Sequence, residues 1–178
     1  MRTLLRAIVT VACVAAALGV LFVPLPGAFN LSTSIVTVMP IARSSTAVFD
    51  YVTTLAHWPA WHPSSLSVTG AIDHPLDLGE RTTEEFRVAG RRGHVVWTVV
   101  ERRRPEKWTI DGMIEGRPAG TVSYALTSDA DGTQFERTFT YRSPTLWFAL
   151  LNAVLLRAKI QAESDEAVER LKRVLEQP

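Results

Sequence analysis

The chain has 178 residues, 47% of them hydrophobic and 21% charged, which suits one domain with a packed core and is too apolar for global disorder. Its 19 basic and 18 acidic residues leave a formal charge of +1, so there is no broad positive field of the kind that draws in a nucleic-acid backbone. The single cysteine, Cys13, excludes an internal disulfide and a cysteine-based zinc site.

After Arg2 and Arg6 no charged residue occurs until Arg43. The densest apolar stretch, residues 4–23, would measure about 30 Å as a helix, the thickness of a bilayer core, and Pro24 and Pro26 stop it. This pattern predicts an N-terminal transmembrane helix within residues 1–23, a linker over 24–32 and a folded domain over 33–178. Arginines on the N-terminal flank alone predict an N-inside orientation. Arginine outnumbers lysine 16 to 3, as in GC-rich bacterial genomes. The expected location is therefore a bacterial inner membrane, crossed once, with the domain facing the periplasm or the cell exterior. A cleaved signal peptide is the alternative, although the apolar core exceeds the usual ~7–15 residues and no clean A-x-A site precedes a polar start. A lipid-modified Cys13 is the third reading, and the apolar run continuing past it speaks against that.

Residues 32–38 alternate polar and apolar side chains and predict a strand. Ser44 and Ser45 are candidate caps for a short helix that places Val48, Val52 and Leu55 on one face. Pro59 suits the first turn of a second short helix, and Pro63 ends it. From Leu66 to Arg142 about six strands follow one another, separated by turn-forming pairs such as Leu78-Gly79 and Arg117-Pro118. From Pro144 to Glu176 the period becomes helical, with Trp147, Leu151, Val154, Ala158, Ala162, Val168, Leu171 and Leu175 on one expected apolar face. The fold class is α+β: a helix-grip arrangement in which a curved antiparallel sheet wraps a long C-terminal helix, preceded by the one transmembrane helix.

The stretch Ser45 to Pro63, STAVFDYVTTLAHWPAWHP, resembles the opening of the START-like (SRPBCC) superfamily in its polyketide cyclase/dehydrase-like branch, with a Val-Phe-Asp helix core and a Trp-Pro-x-Trp turn. Asp131-Gly132-Thr133 is similar to the Gly-Thr hairpin of that branch. The resemblance covers about residues 33–175. It implies a cavity between sheet and helix that takes a lipid, sterol, polyketide or hormone, in a family of which only some members are enzymes.

Strand parity gives the inward rows. The candidate ligand-binding residues are Phe86, Trp97, Trp108, Ile110, Tyr124, Arg137, Phe139 and Tyr141, lining a pocket of aromatic walls with few polar groups. Arg137 is the polar anchor. Buried, it needs Glu84, solvent or an anionic ligand group beside it, unless a bulge turns it outward. For each aromatic the alternative is plain packing on the terminal helix. Catalytic motifs are missing, and Glu84, with Tyr124 and Tyr141 as acids, is the only weak catalytic constellation. Neither His57 nor His62 shares a helix face with the other, so capping or packing at the rim is their expected role. His94 has outward parity, and His74 sits by a turn. No metal or cofactor is expected. Pro144 to Leu156 is apolar nearly all round, which makes Leu146, Trp147, Leu150 and Leu151 a candidate membrane gate for the ligand. The leading expectation is a membrane-anchored START-like domain that binds a hydrophobic small molecule or lipid and contacts the membrane but not nucleic acid. A polyketide cyclase- or dehydratase-like enzyme, and a non-catalytic interaction protein with a filled cavity, are the alternatives.

Overall fold

A computed structural model describes residues 2–26, 29, 31–88 and 90–177. Seven strands form one antiparallel sheet: β1 (Ser32–Ile41), β2 (Ser65–Gly70), β3 (Arg81–Val88), β4 (Arg91–Arg103), β5 (Lys107–Ile114), β6 (Arg117–Ser128) and β7 (Thr133–Arg142). Their spatial order is β1-β7-β6-β5-β4-β3-β2. The six strands from β2 to β7 are a meander, and β1 closes on its last strand. The helices are α1 (Arg2–Val20), α2 (Ser45–Thr53), α3 (Trp58–Trp61), α4 (Leu146–Leu151) and α5 (Arg157–Glu176).

The side chain of Ser44 caps α2 by accepting from the Ala47 amide, satisfying one of the orphan donors of the first turn. α2 buries Val48, Phe49 and Val52. A 3-10 turn, Leu55–His57, leads into α3. There Trp58 and Trp61, three residues apart, fall on one face and are both buried. The inner face of the sheet carries Val95, Trp97, Val99, Trp108, Ile110, Val122, Tyr124 and Phe135, all buried, because side chains two apart on a strand share a face.

The terminal helix departs from its expected form in two ways. It is not continuous, since a π-helical turn, Asn152–Leu156, separates α4 from α5. The wider turn shifts the phase of everything before it. The expected apolar face also fails over its first half: Val154 is 84% exposed and Trp147 47% exposed, and Ala158 and Ala162 are exposed as well. The residues that are buried are Asn152 on the π turn and Ser164, Ala167, Val168 and Leu171 on α5. Helix polar groups face the sheet because that part of the sheet is itself polar. Asn152 donates to Thr33 Oγ1 at 2.9 Å and accepts from the Tyr141 hydroxyl.

The N-terminal expectation is also corrected in extent. α1 stops at Val20, and the main chain tightens into 3-10-type bonds, Phe22 to Gly19 and Val23 to Val20. Among the described residues no helix is long and apolar enough to cross a membrane. The segment after α1 is attached rather than free. The Leu25 amide donates to Pro144 O and the Trp147 amide to Leu21 O, both at 2.9 Å, Pro24 bridges Thr145, and the Phe22 and Trp147 rings are 5.8 Å apart.

Three of the expected pocket aromatics lie flat on the sheet. Phe86 covers Gly93, Trp97 covers Gly112 and Phe139 covers Gly120. A Cβ at position 112 would stand 2.5 Å from Trp97 Cζ3, so the indole occupies space that only glycine leaves open. Gly112→Ala is expected to lower stability by about 1–3 kcal/mol through overpacking, measured by urea unfolding. The loss should shrink in a Trp97→Phe background, where the ring that clashes is smaller.

Candidate functional site

The polar centre of the molecule is one row across the sheet. Trp108 pairs with Tyr124, Tyr124 with Arg137 and Arg137 with Thr37, on β5, β6, β7 and β1. All four side chains are buried on the inner face. Two helices close over them. From α5, Ser164 Oγ accepts from Arg137 Nη1 at 2.9 Å. From the end of α3, His62 Nε2 lies 3.0 Å from Arg137 Nη2. A guanidinium only donates, so Nε2 is the accepting nitrogen and the imidazole proton sits on Nδ1.

Beyond Ser164 the hydrogen bonds run outward. Ser164 Oγ lies 2.9 Å from Thr37 Oγ1, and Thr37 donates to Asp165 Oδ1 at 2.7 Å. Gln161 Nε2 donates to the same carboxylate oxygen. Two hydroxyls thus link the buried cation to a carboxylate at the surface. Of the alternatives open to Arg137, direct pairing with Glu84 is not the one the structure shows. Arg137 bonds Ser164 and His62 and interacts with the Tyr124 hydroxyl, while Glu84 meets it only through space. Glu84 is buried too, but it accepts from the Trp97 indole at 2.7 Å. Burial raises its pKa, against the opposing pull of its hydrogen bonds and of Arg137. Burial also raises the pKa of the Tyr124 phenol, which keeps its proton.

The remaining expected residues divide between two neighbourhoods. Phe139 and Tyr141 lie under α4 with Phe148, their rings 5.3 and 6.5 Å apart in sequence, and the Tyr141 hydroxyl is committed to Asn152. Phe86 and Trp97 belong to the β3–β5 side of the sheet. Between the two groups the rings touch in series: Trp97 to Trp58 at 6.2 Å, Trp58 to Trp61 at 6.3 Å, Trp61 to Tyr124 at 6.3 Å and Tyr124 to Trp108 at 5.4 Å. Ile110 is buried beside them. Clefts of about 260 and 480 Å3 do open on the surface. They lie around Ile41 and Lys172 and around Ser45 and Lys107, and neither is lined by an expected ligand residue. Of the expected gate, Leu146, Trp147 and Leu150 are exposed, whereas Leu151 is half-buried.

Strand parity alone missed the residues that reach the row from elsewhere: Trp61 on α3, His62 just after it, and Ser164 on α5. The Trp-Pro-Ala-Trp-His run was the available signal, since three ring donors or acceptors within five residues are more than a turn needs. Of the other histidines, His57 stacks on Tyr51 at 4.2 Å, His94 is exposed on the outer face, and His74 bonds Asp73 and Glu80 at the surface. Among the described residues no group of three or more metal-ligating side chains could hold a metal ion.

The closed environment of His62 makes stability pH-dependent. Burial, reinforced by the charge of Arg137, holds its pKa well below the usual 6.5. Below 6.5 the unfolded chain therefore takes up a proton that the folded chain refuses, and stability falls as pH falls. The expected slope is about 1.4 kcal/mol per pH unit below 6.5. His62→Gln, whose amide oxygen can still accept from Arg137, should remove that slope in unfolding curves recorded from pH 7 to pH 5.

A family profile described as polyketide cyclase / dehydrase and lipid transport matches residues 32–176. No curated protein matches the chain in sequence. Among solved structures, the chain is similar to MLL2253 from Mesorhizobium loti at 14% identity and a TM-score of 0.59, covering 80% of this chain and 96% of that one. It is similar to Ms6760 from Mycobacterium smegmatis at 20% and 0.57, covering 82% and 91%. It is also similar to the major latex-like protein 151 of Panax ginseng at 10% and 0.61, covering 83% and 100%. At these identities the structures speak for the fold, while the profile spans the whole sheet, α2 to α5 and every residue of the buried polar row: the chain belongs to the polyketide cyclase/dehydrase and lipid transport family.

Proposed function

We propose that the chain binds a hydrophobic small molecule or lipid between the sheet and the α3–α5 face, and does so at a membrane surface. The observation that carries this reading is Arg137, a guanidinium 5% exposed and set among tryptophan and tyrosine rings. A buried cation is costly to maintain in an apolar interior, and a ligand pocket is the setting in which a few polar groups amid aromatic walls have a use. An acid–base pair of the kind a cyclase needs is not supported by the contacts of Glu84, which engages an indole rather than a histidine or tyrosine. Entry is assigned to α4, which buries none of its residues and joins α5 through the π turn, so moving it disturbs little of the core.

The membrane part of the reading rests on the uncharged run 7–42 and on a surface patch. Phe22, Val23, Leu146, Trp147, Leu150, Val154 and Leu155 are all exposed, and the hydrogen bonds between residues 21–25 and 144–147 make them neighbours. An apolar patch of this composition marks an interaction surface, and tryptophan favours the membrane–water interface. In this reading the uncharged N-terminal run keeps the domain at a bacterial inner membrane, on its outer side.

Native mass spectrometry of the purified full-length protein tests the ligand reading, and the expected result is a co-purifying lipid or apolar small molecule of defined mass. Trp147 tests the membrane reading. It is the one exposed tryptophan of the five, so brominated phosphatidylcholine vesicles should quench the full-length protein strongly. Trp147→Phe should abolish most of that quenching, because Trp58, Trp61, Trp97 and Trp108 are shielded.

A further inference from the structure

The buried row holds more hydrogen-bond donors than acceptors. The Trp61 and Trp108 indole nitrogens, His62 Nδ1 and Arg137 Nε are all buried and without a hydrogen-bond partner. With the imidazole proton on Nδ1, all four are N–H groups. They belong to one cluster: His62 bonds Arg137, the Trp61 and His62 rings are 5.5 Å apart, and Tyr124 stands between Trp61 and Trp108 at 6.3 and 5.4 Å. The Tyr124 hydroxyl oxygen interacts with the Arg137 guanidinium, and its own O–H, for which no acceptor is in reach, adds a fifth donor. A buried donor left without an acceptor is destabilising. What would satisfy them together is a group that only accepts.

Charge narrows the class. Arg137 is the single cation of the cluster, since His62 is neutral, and no ion pair among the described residues includes Arg137. One cation balances one negative charge. A dianionic phosphate would add a second negative charge that no cation of the cluster compensates. A carboxylate brings one charge and two accepting oxygens, and charge-assisted bonds to guanidinium and N–H donors are the strong ones.

The geometry points to a carboxylate-headed amphiphile as the ligand, its head group received by Arg137, Trp61, Trp108, His62 and Tyr124 and its chain lying among the aromatic side chains toward α4. This deepens, and rests on, the interior binding site proposed above. Arg137 already donates from Nη1 to Ser164 and from Nη2 to His62, so the guanidinium is oriented before the ligand arrives, with its Nε–H still unpartnered.

The test uses full-length protein in non-ionic detergent, offered laurate, dodecanol or dodecyl phosphate at equal concentration, with the bound fraction read by native mass spectrometry. The three share one chain and differ in the head. Laurate is expected to exceed both others by about tenfold, the discrimination of one charge-assisted contact. Tyr124→Phe keeps its ring and deletes one donor, and Trp108→Phe deletes one donor while leaving a smaller aromatic ring. They should lower laurate binding several-fold and leave dodecanol unchanged. Arg137→Gln should bring laurate down to the level of dodecanol, and if that variant fails to fold, the two phenylalanine variants decide. Equal binding of laurate and dodecanol, or laurate binding indifferent to both phenylalanine variants, overturns the head-group assignment while the interior site stands. Dodecyl phosphate binding more tightly than laurate overturns the carboxylate in favour of a dianion. Binding of none of the three overturns both the assignment and the interior site.

Discussion

The structure depends on how one buried guanidinium is accommodated. Arg137 sits on β7 beneath two helices, and each of its terminal nitrogens is taken by a different one: Ser164 from α5, His62 from the end of α3. Removing the partner of a buried charge typically costs about 3–5 kcal/mol. The three layers are therefore locked by a group that none of them could bury alone. The position of α5 follows. Its contact with β1 and β7 is organised by Asn152, Ser164, Asp165 and Gln161 before the apolar contacts of Ala167, Val168 and Leu171 begin.

The aromatic side chains answer a second constraint. A sheet over one main helix leaves a volume that either stays open or is filled. Here glycines at 93, 112 and 120 let Phe86, Trp97 and Phe139 lie down against the backbone, while Trp58, Trp61, Trp108 and Tyr124 close ring to ring above them. The interior is apolar in its walls and polar along one line. In the proposed reading, an incoming molecule meets a single address for a polar group and must displace rings to place its chain.

Much of the sheet was legible because its chemistry is periodic. Alternation every two residues put Trp108, Tyr124 and Arg137 on one face, and in the sheet they form one row. The Val-Phe-Asp and Trp-Pro-x-Trp segment signalled the family, whose profile spans nearly the whole of the folded region. The terminal helix was misread for a definite reason. Periodicity finds apolar faces, and the first half of this helix meets a polar strip, so Asn152 and Ser164 are buried while Val154 points to solvent. The π turn then broke the phase that a regular helix would have kept. Nor could parity reveal Trp61 and His62, which reach the row from the end of a four-residue helix outside the sheet.

The attachment of residues 21–25 to residues 144–147 has a mechanical consequence. Two main-chain hydrogen bonds and one bridge make the start of α4 the point where α1 is fastened to the rest of the molecule. Any tug, tilt or sideways drift of α1 is delivered there, to a short element that shares almost none of the core, before it reaches β1 a few residues further on. If α4 is the entry flap proposed above, then α1 and the flap share this one junction, next to the π turn and near Tyr141 and Phe139.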